Sequence, residues 1–406
     1  MVEQADLFIV GGGMVGAALA AALADTGRRI VVLEQQAPAA FDPASAPDLR
    51  VSAISPASRQ LLSAIGAWPS IEAMRSAPYR RMLVWENDEQ EGTLFDAAEL
   101  GEAELGHIIE NRIVQLACQQ ALAQHDNVEL ICPDLLQSLS ERGDHCLVTL
   151  GSGRQFAAKL VVAADGAQSA ARRLAGIGIN SHDYPMHAFV ATFAIEGGER
   201  DITWQQFTAD GPQSLLPLPG DYASLVWYHQ PARVRELETL SEAALIAAFQ
   251  REFPARLPVL RQLVSRGSFA LTRRHAQQYH RGRVVLAGDA AHTIHPLAGQ
   301  GVNLGFQDVQ ALSALLHEAF RLEQDPAAPA LLQRYQRQRM LPNHAMQRLM
   351  DAFCYGFGNS APPLRLLRNL ALKLANRPGR LKQEVVRYAL GLSPLARGLR
   401  IGLPGK

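Results

Sequence analysis

The sequence predicts an α/β protein: a Rossmann-like parallel sheet, interrupted by an inserted antiparallel sheet and followed by a helical tail. Three observations carry this. The chain opens with a strand, a G-x-G-x-x-G loop, a helix and a second strand that closes on an acid, from Asp6 to Glu34. Two later apolar strands also end on a glycine–aspartate pair, Asp165-Gly166 and Gly288-Asp289. Between Asn180 and Leu271 the apolar residues change from short continuous runs to alternation, the period of an antiparallel sheet.

In order along the chain, Asp6-Leu-Phe-Ile-Val10 is a buried-type strand and Gly11-Gly-Gly-Met-Val-Gly16 the loop after it. Residues 17–23 read as a helix of small side chains, Gly27 ends it, and Ile30-Val-Val-Leu33 leads to Glu34. In such a unit Gly11 makes the tight turn, Gly13 lets the backbone approach a pyrophosphate, and Gly16 lets helix and strand pack closely. The helix amino-terminus receives the anion, and Glu34 is placed to accept from ribose hydroxyls. A Pro/Ala-rich loop, 37–47, leads to Asp48-Leu-Arg50-Val-Ser-Ala-Ile54, where Arg50 alone reads as a surface arginine. Helix is predicted at 58–65, strand at 82–86, and helix at 113–122. Arg112 precedes that helix, at the end where the dipole disfavours a cation, which points to an anionic partner. Residues 160–164 form another buried strand, followed by Asp165-Gly166-x-x-Ser169-x-x-Arg172.

Alternation at 187–195, 203–207, 213–218 and 222–228 forms the inserted sheet, with one helix from Ser241 to Phe253. That sheet either roofs a ligand site or only stabilises the fold. Arg283-Val-Val-Leu286 returns to the parallel sheet. After Gly288-Asp289 come Gly299, Gly301 and Gly305, leading into a helix over 302–320. Glycines here let a flat ligand lie on the backbone, and the helix start offers unpaired N–H groups. A helix over 330–347 is expected to break at Pro342. A basic amphipathic helix, 364–377, carries Arg365, Arg368, Lys373 and Arg377 on one side. It suits an anionic membrane surface, a protein partner, or packing on its own domain.

At 406 residues, with 48% hydrophobic and 19% charged content, the chain can bury a large core in about two domains. A net charge of +0 gives no support for a nucleic-acid partner. The balance hides an asymmetry: from 345 to 406 there are eleven Lys or Arg against Asp351 and Glu384 alone. Cys118, Cys132, Cys146 and Cys354 are scattered, with no C-x-x-C and no metal-ligand spacing, so no metal is expected and a reducing compartment fits. Neither a signal peptide nor an apolar run of about 18 residues is present, and a cytoplasmic location follows as the expectation.

The three loops together resemble the three motifs of the para-hydroxybenzoate-hydroxylase-type flavin monooxygenases. Within that group, His295-Pro-Leu-Ala-Gly-Gln-Gly-Val-Asn-Leu-Gly-x-x-Asp308 is similar to the signature of the ubiquinone-biosynthesis hydroxylases. The resemblance implies a Rossmann-like FAD-binding domain (1–179 and 272–345, with part of 74–108 in the substrate region), an inserted antiparallel-sheet substrate domain (180–271) and a helical basic tail (346–406). It implies bound FAD, with NAD(P)H and O2 as co-substrates, and a prenylated quinol as substrate. Gly11, Gly13 and Gly16 would hold the pyrophosphate and Glu34 the ribose. Arg50 and Arg112 match arginines lying along the flavin, though some relatives differ at Arg112. Gly288-Asp289 would meet the ribityl chain, Asp165 the region of cofactor and nicotinamide donor, and the N–H groups after Gly301, at Val302 and Asn303, the flavin pyrimidine edge.

The implied reaction is hydroxylation of a demethoxy prenyl-benzoquinol through a flavin C4a-hydroperoxide, a chemistry in which protein supplies electrostatics and water exclusion. Hydroxylation at another position of the ring and a non-catalytic quinone-binding scaffold are the alternatives. The tail would meet the inner-membrane surface or other proteins of the pathway. No catalytic side chain is assigned: His292, His295 and Arg274 are acid–base candidates that read better as structural. A tryptophan halogenase lacks its W-x-W-x-I-P stretch here, and a disulfide reductase its C-x-x-C and second nucleotide fingerprint.

Overall fold

The computed structural model describes residues 1–86, 92–295, 301–357 and 387. Two expected features lie outside them: the loop 296–300 with Gly299, and the amphipathic segment 364–377 in the tail.

The chain opens as β1 (Val2–Val10), α1 (Met14–Leu23) and β2 (Ile30–Leu33). Leu7 to Val10 are all buried, as a central parallel strand covered on both faces requires. β3 (Val51–Ile54), α2 (Pro56–Ala64), α3 (Trp68–Met74), β4 (Ala77–Tyr79), β5 (Arg81–Trp85), β6 (Thr93–Asp96) and β7 (Gly106–Glu110) follow. Ser55 caps α2 by accepting from the Ser58 N–H, and Pro56 fills the first turn. α4 (Asn111–Leu122) and β8 (Val128–Ile131) return to the first sheet, β9 (Leu136–Arg142) and β10 (His145–Leu150) form an antiparallel flap, and β11 (Gln155–Ala163) carries that flap on one edge while running as a parallel strand of the sheet.

Beyond α5 (Ala170–Leu174) come β12 (Ile179–Glu196), β13 (Ile202–Thr208), β14 (Gly211–Leu218), β15 (Tyr222–His229), α6 (Pro231–Thr239), α7 (Glu242–Glu252) and β16 (Val259–Ala276). Ser241 caps α7 through the Ala244 N–H. β17 (His280–Arg281), β18 (Val284–Leu286), β19 (His292–Thr293), α8 (Gly301–Arg321) and α9 (Pro329–Phe357) close the described chain.

The first sheet runs β17-β18-β11-β1-β2-β8. β1 pairs in parallel with β2 on one side and β11 on the other. The chain winds outward through β2 and β8 and then crosses to β11, so the order reverses between β1 and β11. That switch point, at the carboxyl ends of the strands, is where open α/β sheets take ligands.

The second sheet runs β19-β16-β12-β15-β14-β13-β5-β6. Phe189, Phe193 and Trp227 face Phe249 of α7 and Phe253 just past its end, with ring centroids 5.2–6.2 Å apart. The alternate residues Ala188, Val190 and Thr192 take the opposite face. β16 was not expected, because its first half is an edge carrying Arg261, Gln262, Ser265 and Arg266 with no clean alternation. A third, small sheet, β3-β7-β4, packs against β14 of the second sheet and against α4 and α8. The expected break at Pro342 is absent: α9 continues through it. Buried Tyr335, Arg339, Asn343 and Met346 hold both sides of the proline, and that packing outweighs the lost hydrogen bond.

Candidate functional site

Four strands of the first sheet end at the same edge, and the loops after them interlock. The Gly11 N–H donates to Leu33 O (2.8 Å), the Ala164 N–H to Val10 O (2.8 Å) and the Ala287 N–H to Ala163 O (2.9 Å), so each loop begins still laddered to its neighbour. Gly11 sits at φ 103, and a Cβ there would lie 2.5 Å from Ala164 O. A Cβ on Gly16 would stand 1.9 Å from Gly11 O. Val15 fills the notch between Gly288 and Gly305, 3.2 and 2.7 Å from where their Cβ atoms would stand. Buried Arg172 donates from Nη1 to Ala290 O (2.9 Å), tying the second loop to the third.

The glycines divide into two groups. Gly11 and Gly16 are demanded by the chain itself. Gly13 and Gly301 are not: Gly13 has φ −72, which any residue adopts, and a Cβ on either would meet no atom of the described residues within 4 Å. Gly13 also leaves α1 without a side-chain cap, and no acid stands in its first turn. A small residue facing open space at an uncapped helix start fits an anionic ligand that approaches the backbone. The glycine and carboxylate pattern therefore fits FAD.

Glu34 accepts from the Gln36 N–H (3.1 Å), and its Cβ lies over Gly12. Asp289 is open to solvent and yet walled in by protein, the setting of a cleft floor. Burial among its neighbours raises its carboxyl above the ordinary value, against the opposing charges of His292, Arg50 and Arg274. Arg50, exposed just before β3, is near enough to Asp289 to oppose that rise electrostatically.

Asn303 is buried in the first turn of α8. Its Oδ1 accepts from the Ser55 N–H (3.0 Å) and the Ser58 hydroxyl (2.7 Å), and its Nδ2 donates to Ala53 O (2.8 Å). The side chain therefore fixes Gly301 and Val302 against β3 and α2.

Two expected site residues also make firm contacts within the protein. Asp165 accepts from the Ser169 hydroxyl and the Ala171 N–H (3.0 Å), so its carboxylate caps α5. Arg112 donates to both oxygens of Asp48 (2.8 and 3.0 Å) and to Ala40 O (2.8 Å). The anionic partner expected for Arg112 is the side chain of Asp48, and the pair pins the loop before Arg50.

The largest feature not anticipated is the buried network around Asp308. Oδ2 accepts from the Gly288 N–H (3.0 Å) and lies 2.5 Å from His292 Nε2. Oδ1 accepts from Arg339 Nε (2.6 Å) and Asn343 Nδ2 (3.3 Å). Burial alone would raise this carboxyl, but His292 and Arg339 hold it well below the carboxylate range. Asn343 also donates to the Tyr279 hydroxyl, which meets His275, and His275 Nδ1 lies 2.9 Å from Gln347 Oε1. A sequence signal existed: Arg339, Asn343 and Gln347 are spaced by four on the buried face of α9. Of the acid–base candidates, His292 is held inside this network and His295 is packed between Tyr184 and Tyr228. Among the described residues no cluster has metal-ligand character.

A family model described as FAD binding domain matches residues 4–350. The chain is 47% identical over 390 residues to the 3-demethoxyubiquinol 3-hydroxylase of Escherichia coli (strain K12), covering 96% of this chain and 99% of that one. It is 36% identical over 405 residues to the ubiquinone hydroxylase UbiL of Rhodospirillum rubrum, covering 99% and 94%. Among solved structures, p-nitrophenol 4-monooxygenase PnpA from Pseudomonas putida superposes with a TM-score of 0.79 at 21% identity, over 99% of this chain and 100% of that one.

The two glycine groups should separate experimentally. Gly16→Ala is expected to destabilise the apoprotein by about 2–3 kcal/mol through overpacking, whereas Gly13→Val should leave its melting temperature near wild type. Equal melting temperatures for the two variants would refute the division. Stability should also fall with acid. Burial pushes His275 and His295 down to about 4 from 6.5, so the unfolded chain takes these protons first as pH drops. Each costs about 1.4 kcal/mol per pH unit between 6.5 and 4. Asp308, depressed instead, keeps its contribution until the pH falls below the ordinary carboxylate range. A denaturation series should show a shallower slope for His275→Gln in the upper window; an unchanged slope would remove His275 from the account.

Proposed function

The chain belongs to the FAD-binding-domain family and, within it, to the ubiquinone-biosynthesis hydroxylases, and we propose that it hydroxylates a demethoxy prenyl-benzoquinol. It is an FAD-dependent monooxygenase. One atom of O2 enters the ring as hydroxyl and the other leaves as water, with two electrons from NAD(P)H and a proton completing the balance. When bound, FAD supplies the redox chemistry that side chains lack.

The residues of this chain then have definable tasks. The first turn of α1, from Gly13, binds the pyrophosphate with backbone N–H groups, and Glu34 accepts from the adenosine ribose. Asp289 accepts a ribityl hydroxyl. The α8 amino-terminus at Gly301, Val302 and Asn303 presents positive dipole to the pyrimidine edge, where negative charge gathers on reduction. Arg50 adds a cation beside that edge. Asp165 and Arg112 act through the loops they hold.

The second sheet, with β5 and β6, covers the cleft and keeps water from the reacting ring. We assign the cofactor unit to 1–179 and 272–345, and the substrate unit to 180–271 with 81–96. The observation that carries this reading is the cleft itself: interlocked loops at the switch point, Gly13 and Gly301 with no Cβ neighbour among the described residues, and Asp289 on the floor with no hydrogen-bond partner among them.

The ring position is taken from the Escherichia coli relative, whose name specifies a 3-hydroxylase. A scaffold without turnover would have no need of intact cofactor loops. No helix among the described residues is long and apolar enough to cross a membrane. The basic tail, eleven Lys or Arg against two acids, is suited to hold the protein at an anionic membrane surface, where a prenylated quinol resides.

Purified protein should take up FAD, and Asp289→Ala should weaken retention about tenfold or more, one lost charge-assisted hydrogen bond at the least. Absorbance at equilibrium dialysis reads this, and unchanged affinity would remove Asp289 from the site. Feeding the demethoxy quinol with NAD(P)H and O2 should place the new hydroxyl at the ring position that lacks the methoxy group; a hydroxyl elsewhere would reassign the substrate. Deleting 364–406 should reduce sedimentation with anionic vesicles while FAD content stays constant, and unaltered sedimentation would leave the tail as packing.

A further inference from the structure

Resting on the reading of the cleft as an FAD site, we propose that Gln115 and Gln119 are positioning residues for the pyrophosphate. As a paired donor they orient the Gly12–Gly13 peptide so that its N–H faces the cofactor.

The two glutamines are four apart on α4 and share one face. Both donate to the same atom: Nε2 of Gln115 and Nε2 of Gln119 lie 3.2 and 2.7 Å from the Gly12 carbonyl oxygen. That oxygen has two lone pairs, and the pair of amides satisfies both. The Gly12–Gly13 bond is trans, and in a trans peptide C=O and N–H point in opposite directions. Holding the carbonyl toward α4 therefore turns the Gly13 N–H away from α4. A Cβ on Gly13 would meet nothing within 4 Å, so the loop borders open space there.

A peptide between two glycines needs such a clamp. Without Cβ atoms the alternative orientation carries little steric penalty, and a flipped unit would aim its carbonyl oxygen at two phosphates. Glu34 and Leu130 close on Gly12, the Cβ of Glu34 lying 2.9 Å from the position of a Gly12 Cβ. They fix where the loop lies, while the glutamines fix which way its peptide faces. Amides suit the task because they donate without adding a charge that would itself compete for the phosphates.

The shared acceptor gives a signature that plain packing lacks. Methionine keeps the shape of glutamine and removes the donor. Either single variant, Gln115→Met or Gln119→Met, leaves one donor and should weaken FAD binding about twofold. The double variant orphans the carbonyl and should lose about tenfold or more, so the losses exceed the product of the singles. Titration of apoprotein with FAD, followed by fluorescence quenching, reads the affinity; the melting temperature of each apoprotein reads the fold. Gln119→His in the Gln115→Met background, at pH 8, returns a neutral donor and should restore most of the affinity.

A wild-type protein that takes up no FAD overturns the cofactor reading and this proposal with it. A wild type that binds FAD, with a double variant that binds it equally well, overturns the clamp alone. Losses that simply multiply, or a histidine variant that restores nothing, also overturn the clamp.

Discussion

One buried carboxylate holds the ligand edge of this molecule together. Asp308 is fully buried on α8, where an ionised acid is costly unless every lone pair is used. Its four contacts come from three separate pieces of chain: Gly288 after β18, His292 in β19, and Arg339 and Asn343 one turn apart on α9. The Gly288 contact matters most for the site. Gly288 sits at φ 61, and its N–H is fixed by Asp308, so the direction in which Asp289 leaves the sheet is set by a residue twenty positions later. Removing one member would leave a charge stranded in the core, which is why the arrangement acts as a unit.

The loops at this edge are equally interdependent. Gly11 and Gly16 allow β1, α1 and the Asp165 loop to touch at backbone distance, and Val15 wedges the same helix against Gly288 and Gly305. Arg172 crosses from the second loop to the third, and Asn303 crosses from α8 to β3 and α2. What remains unused after this interlocking is informative. Gly13, Gly301 and the Asp289 carboxylate belong to none of these contacts among the described residues, which supports the cofactor surface proposed for them.

Charged residues near the cleft sort by what they already hold. Arg112 and Asp165 are spent on the protein, one on Asp48 and one on the start of α5. Arg50 and Arg274 influence Asp289 electrostatically. This division fits an oxygenase that needs a dry, preorganised field more than a nucleophile. His275 and His295, buried and held near pKa 4, stay neutral under ordinary conditions and contribute shape rather than proton transfer.

The sequence alone determined the parallel sheet, its three ligand-facing loops and the insertion of an antiparallel sheet, because these follow from local rules. Continuous apolar runs mark strands covered on both faces, alternation marks strands covered on one, and glycine marks a turn or a close approach. It also placed Glu34 and Asp289 in the loops that follow buried strands, as the fold shows. Only the tertiary structure decided which charges are free. Whether Arg112 meets a phosphate or Asp48, and whether Asp165 faces a ligand or a helix start, depends on residues brought close by folding. β16 and the unbroken course of α9 through Pro342 were hidden for the same reason: their stability comes from what packs against them, and local pattern carries no record of that. The Asp308 network joins positions 275 to 347 across two strands of the second sheet and two helices, and no spacing along the chain reports a contact made by closure in space.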